Sequence, residues 1–134
     1  MLYEYMKQGF VSEGDWNCAE RTLRGANTAY GLGLDDDALR LAGAFGGGMA
    51  VEGVCGVVSG AAMALSAMFV EDRAHASEKI KPLTKEFIER FEAELGMSDC
   101  ARLKAKYRTP EEGCACLILA GAKILDDIVA RERG

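Results

Sequence analysis

Between residues 54 and 70 the chain carries no charged side chain, and Val54-Cys55-Gly56-Val57-Val58-Ser59-Gly60-Ala61-Ala62-Met63-Ala64-Leu65 offers no polar face at helical spacing. A helix that is apolar all round is stable only when other helices surround it. At about 17 residues the run is short of the roughly 20 needed to span a bilayer, and its Gly, Ala and Ser content suits close packing. A buried central helix near 54–70 is therefore expected, and the rest of the chain must supply its neighbours.

Those neighbours are legible. A short helix over 2–8 ends at Gly9, and Ser12 or Asp15 is placed to cap a second helix that carries Cys18, Leu23, Ala26 and Tyr30 before Gly31 and Gly33 stop it. Asp35, Asp36 and Asp37 supply a cap and first-turn negative charge for a short helix holding Leu39, Leu41 and Ala42, which breaks at Phe45-Gly46-Gly47-Gly48. Ser77 is placed to cap a long amphipathic helix in which Ile80, Leu83, Phe87, Ile88, Phe91 and Leu95 recur at helical spacing until Gly96, with Pro82 in its first turns. Ser98 or Asp99 caps a short helix with Cys100, Leu103 and Tyr107, and residues 109–113 lead into a last helix whose inner face is Leu117, Ile118, Ile124, Leu125 and Ile128. No period-2 strand pattern, repeat or linker is present. The expectation is an all-α fold, a compact helical bundle of about four longer helices plus short ones, with residues 1–134 as one domain. Its length and 49% hydrophobic content suffice for a core without disulfide or metal staples.

The net charge of -5 gives no cationic field for a polyanion, so neither nucleic acid nor an anionic membrane is an expected partner. The opening residues Met1-Leu2-Tyr3-Glu4-Tyr5-Met6-Lys7-Gln8 lack the basic start and apolar run of a secretory leader, which points to the cytoplasm. Five cysteines in a reducing compartment are not a structural disulfide framework; such thiols are catalytic, redox-sensing or metal-bound, or simply pack as small hydrophobes.

Their placement favours chemistry. Cys18, Cys55, Cys100 and Cys114 all fall at or within the first turns of the expected helices. The unpaired N–H groups and positive dipole of a helix start stabilise thiolate and can bring a cysteine pKa from ~8.5 to between ~3.5 and ~7.5. A thiolate is both the nucleophile of disulfide exchange and a soft metal ligand. No Cys-x-x-Cys exists, and Cys114-Ala115-Cys116 would point two side chains about 200° apart in a helix, so a zinc ribbon or thioredoxin-type site is disfavoured. Four cysteines on four helices could instead converge to ligate an iron–sulfur cluster or another thiolate-bound metal. Gly46, Gly47, Gly48, Gly56 and Gly60 are candidate cofactor-binding positions where something other than a side chain needs room, or else Gly56-x-x-x-Gly60 permits a tight helix crossing.

Asn17-Cys18-Ala19-Glu20, Phe45-Gly46-Gly47-Gly48 and Cys55-Gly56-Val57-Val58-Ser59-Gly60, followed by Cys100 and Cys114, resemble the C_GCAxxG_C_C family of proteins described as redox-active. The resemblance runs from about Asn17 to Leu125. It implies that Cys18, Cys55, Cys100 and Cys114 are the family's four ordered cysteines, and that a prosthetic group is a candidate cofactor. Val57 stands where the motif has alanine, and Cys116 is additional, a substitute for Cys114 if the last helix is placed slightly differently.

Other chemistry is thin. The single histidine, His75, reads as a polar helix-end residue, and no Ser/His/Asp set or isolated acidic pair supports hydrolysis. Glu52, Asp126 and Asp127 are expected to face water, Met49, Met63 and Met68 to fill the core, and Tyr3, Tyr5, Phe10 and Trp16 to pack the first helix. Two main readings follow: a redox protein working through reversible dithiol/disulfide chemistry or a sulfur-ligated metal, with a redox partner protein; or a noncatalytic helical partner-binding module. Thiolate metal storage or sensing is a third, and a homo-oligomer is compatible with all of them.

Overall fold

A computed structural model describes residues 1–133. Seven α-helices, α1 (Leu2–Tyr5), α2 (Cys18–Tyr30), α3 (Asp36–Leu39), α4 (Gly56–Phe69), α5 (Ile80–Leu95), α6 (Cys100–Tyr107) and α7 (Ala115–Arg133), account for most of the described chain. No strand occurs among the described residues, only two isolated bridges, Val54 with Asp99 and Thr109 with Gly113. Among those residues no helix is long and apolar enough to cross a membrane.

The uncharged segment is α4, and it is surrounded as its sequence demands. It packs against α2, α5 and α7, with Val57, Ala61, Ala64 and Leu65 wholly buried. Two glycines set how closely α2 approaches. A Cβ on Gly60 would lie 2.8 Å from the Ala19 carbonyl oxygen and 2.9 Å from Thr22 Cβ, and one on Gly56 would lie 3.0 Å from the Ala19 nitrogen and 3.2 Å from Cys18 Cβ. Gly121 does the same for α7, since the Val57 side chain occupies the place its Cβ would take. The valine of the divergent motif thus fills a notch in the last helix.

Helix limits follow local chemistry. Gly31 and Gly96 close α2 and α5 in left-handed conformations, and Asp35 and Asp99 cap α3 and α6. The Ser77 hydroxyl accepts from the Ile80 N–H at 3.2 Å. The cap of α2 is a correction: neither Ser12 nor Asp15 serves, and Asn17 forms a capping box with Glu20. The reason is the buried Arg21, whose guanidinium donates to the carbonyls of Phe10, Glu13, Gly14 and Trp16 and so winds the preceding segment into a loop.

Two other expectations are overturned. Met49 is 55% exposed, because residues 49 and 50 turn the chain in the left-handed region rather than continuing a helix inward. Asp126 does not face water: its carboxylate accepts from the N–H groups of Leu2 at 2.8 Å and Tyr3 at 2.9 Å and from the Tyr30 hydroxyl at 2.7 Å. One carboxylate on α7 therefore satisfies the open start of α1 and anchors the end of α2. Asp127, one position on, is exposed and pairs with Arg90 at 2.6 Å.

Burial would raise the Asp126 pKa, but the hydrogen bonds from Tyr3, Tyr30 and Leu2 outweigh it and hold the carboxyl below its ordinary value. Its stabilising effect is complete above the unfolded value of ~3.9 and is lost as pH falls through the lower folded value. Asp126→Ala should destabilise the fold by about 1–3 kcal/mol at neutral pH, and urea unfolding below pH 4 should show that difference shrinking. Gly60→Ala, which forces α4 off α2, should cost about 1–3 kcal/mol in the same measurement.

Candidate functional site

Four helix starts meet around one cavity of about 340 Å³, and Cys18, Cys55, Cys100 and Cys114 all line it. Cys18 is the first residue of α2, held in place by the capping box: Asn17 Oδ1 accepts from the Glu20 N–H at 2.9 Å and Glu20 Oε1 from the Asn17 N–H at 3.0 Å. Cys55 caps α4, with its carbonyl accepting from the Val58 and Ser59 N–H groups. Cys100 opens α6. Cys114 directly precedes α7, and its carbonyl accepts from Leu117 and Ile118.

Backbone pairing brings two of these starts together. The Cys55 N–H donates to the Ser98 carbonyl at 2.8 Å and the Cys100 N–H to the Gly53 carbonyl at 2.5 Å. That short antiparallel contact holds the starts of α4 and α6 near each other. It needs Gly48, where a Cβ would fall 2.4 Å from the Gly53 nitrogen and 2.8 Å from Cys100 Cβ. Gly46 makes room for the Asn17 side chain, which donates to the Gly43 carbonyl at 3.0 Å. Of the five glycines singled out from sequence, Gly47 and Gly56 line the cavity, and Gly46, Gly48, Gly56 and Gly60 admit protein atoms.

The other pair is formed by side chains. Cys18 and Cys114, remote in the chain and both half-buried, line the same cavity and act on each other's ionisation. Their proximity is the largest influence on each. It raises Cys18, which burial and the neighbouring charges of Cys114, Cys55 and Cys100 raise further. It lowers Cys114, which burial opposes and the cations Arg108 and Lys104 assist, to about 6. Cys114 is thus the more acidic thiol of the two.

Helix-start placement does not lower all four cysteines. Burial pushes Cys55 up to about 11, although the Val57 and Val58 N–H groups pull it down. Burial likewise raises Cys100 despite Lys104. Both thiols are almost fully covered, and desolvation exceeds what the helix end returns. Cys116 is exposed, lies outside the cavity and directs its thiol at the Tyr107 carbonyl at 3.7 Å.

All five thiols are free, and among the described residues no three His, Cys, Asp or Glu side chains stand close enough to hold a metal ion. His75 lies exposed in a short turn, and Glu52 is exposed but pairs with Lys104 at 3.0 Å.

Sequence reasoning missed the cations. Arg21, Lys104 and Arg108 line the cavity, and the first two stand three and four positions beyond Cys18 and Cys100, the offsets that share a helix face. That spacing was the available signal.

A family model described as "Putative redox-active protein (C_GCAxxG_C_C)" matches residues 16–128. The chain belongs to this family. No curated protein and no solved structure gives a significant match. In this member of the C_GCAxxG_C_C family all four ordered cysteines face one cavity, and they divide into a side-chain pair and a backbone-linked pair.

Iodoacetamide labelling across pH should find Cys114 reacting with a midpoint near pH 6: below it the thiol is protonated, above it the thiolate dominates. Cys18→Ala removes the largest lowering influence and should move that midpoint toward ~8.5. Mass-spectrometric site assignment checks both.

Proposed function

We propose that the protein is a dithiol redox protein in which Cys114 attacks and Cys18 resolves. The observation that carries this reading is that Cys18 and Cys114 line one cavity together with Arg108 and Lys104, with Cys114 the thiol whose pKa is lowered. Disulfide exchange needs a thiolate to attack and a second thiol nearby to complete the transfer, and the pair supplies both.

The exchange balances as follows. The Cys114 thiolate attacks one sulfur of a partner disulfide, the partner S–S bond breaks, and one partner thiolate leaves. Cys18 then loses its proton and attacks the Cys114 sulfur of the mixed disulfide. A Cys18–Cys114 bond forms, the second partner thiolate departs, and one disulfide has been reduced as two thiols are oxidised. The steps run backwards when a partner dithiol reduces the bridge. The proposed setting is the cytoplasm, where reductant keeps such a pair turning over.

Four thiols around one cavity favour a second reading, a sulfur-ligated metal or iron–sulfur centre. The donors are of the right softness, but no three stand within common reach among the described residues, and no step is routed through such a group.

Titration of the protein through a redox buffer from about -350 to -150 mV, the range of cellular dithiols, should show one two-electron transition, with a Cys18–Cys114 bridge in the peptide map of the oxidised form. Cys18→Ser and Cys114→Ser should each abolish it and Cys116→Ser should not. The dithiol reading is lost if no pair changes state in that window. Stoichiometric iron or zinc in anaerobically isolated protein, lost in the same two variants, would favour the metal.

A further inference from the structure

The cations around Cys114 are not equivalent. The Arg21 guanidinium is committed to four backbone carbonyls, and Lys104 is engaged by Glu52. Arg108 forms no ion pair or side-chain hydrogen bond among the described residues. It follows the last turn of α6, is exposed, and lines the thiol cavity. A planar guanidinium with its donors unused is the side chain best suited to a carboxylate.

One carboxylate opposes it. Glu112 also lines the cavity, but its charge acts on Cys116, two positions beyond Cys114, whereas the charges that act on Cys114 are Arg108 and Lys104. The field is cationic at the cavity thiol and anionic at the outer one. The volume, about 340 Å³, lies at the small end of ligand sites, and Cys114 is half-buried in its wall. A small molecule fits these limits better than the surface of a folded protein.

We infer that the disulfide exchanged at Cys114 is a low-molecular-weight one whose thiol half carries a carboxylate, and that Arg108 docks that carboxylate beside the attacking sulfur. The inference rests on the dithiol reading and narrows it to a substrate class. Cys114 takes one sulfur of the small disulfide and the other half leaves as an anionic thiolate. Cys18 then releases the second half, so that one small disulfide yields two small thiols while the protein pair becomes a disulfide.

The test uses full-length Cys116→Ser protein, reduced, and three small disulfides: anionic 3,3'-dithiodipropionate, neutral bis(2-hydroxyethyl) disulfide and cationic cystamine. Mixed-disulfide formation at Cys114 and its resolution to the Cys18 bridge are followed by quenched-flow mass spectrometry. Arg108→Gln should slow the anionic disulfide about tenfold more than the neutral one, in line with the lower range of charge-focusing effects. It should leave cystamine no slower than the neutral one, and Arg108→Lys should restore most of the anionic rate. Because Arg108 also favours the Cys114 thiolate, an equal loss with all three disulfides means that it acts through the sulfur alone and overturns the inference. So does no loss at all. A charge ranking that persists at Cys114 while no bridge to Cys18 ever forms supports the docking and removes the dithiol reading instead.

Discussion

The close contact between α2 and α4 governs what this molecule can do. Gly56 and Gly60, one helical turn apart, present bare backbone to Ala19, Thr22 and Cys18. With any side chain at either position the two helices would have to separate or shear. Helix starts are the parts of a fold most sensitive to such a shift, because each is fixed by only a few caps. Cys18 and Cys55 are both helix-start residues on this pair, so the glycine contact sets the distance between their elements as well as the packing of the core.

The same architecture explains why one thiol is activated and its neighbours are not. All four sit where a helix dipole favours negative charge, yet burial dominates at Cys55 and Cys100. Of the four only Cys114 is lowered, being partly exposed beside Cys18 and the cations Arg108 and Lys104. Helix-start placement is therefore a permissive condition here. The deciding factor is the company of Cys18, Arg108 and Lys104, which Cys114 meets only when the chain is folded.

Much of the fold could be read from sequence because it rests on local signals. The all-apolar run produced α4, the periodic Ile80 to Leu95 pattern produced α5 with its Gly96 stop, and Leu117, Ile118, Ile124, Leu125 and Ile128 are the buried face of α7. The four ordered cysteines could be nominated from their position before helices. Long-range contacts were hidden. Asp126 reads as a surface carboxylate until α1 arrives to donate its N–H groups, and Asn17 takes the place of the earlier candidates Ser12 and Asp15 because Arg21 gathers the carbonyls before it. Pairing among the cysteines was equally out of reach, since nothing in the spacing of Cys18 and Cys114 marks them as neighbours. Arg21 and Lys104 could have been found by reading three and four residues beyond Cys18 and Cys100, whereas Arg108 lies outside that spacing.

The Cys18–Cys114 pair also joins distant parts of the chain: it stands between the first residue of α2 and the residue before α7. A covalent link there would close a loop of roughly 100 residues, which on a chain-entropy account removes about 4.7 kcal/mol of disorder from the unfolded ensemble. Most of the chain lies inside that loop, so exchanging two electrons would tie or untie nearly the whole molecule, and resistance to unfolding would itself report the oxidation state.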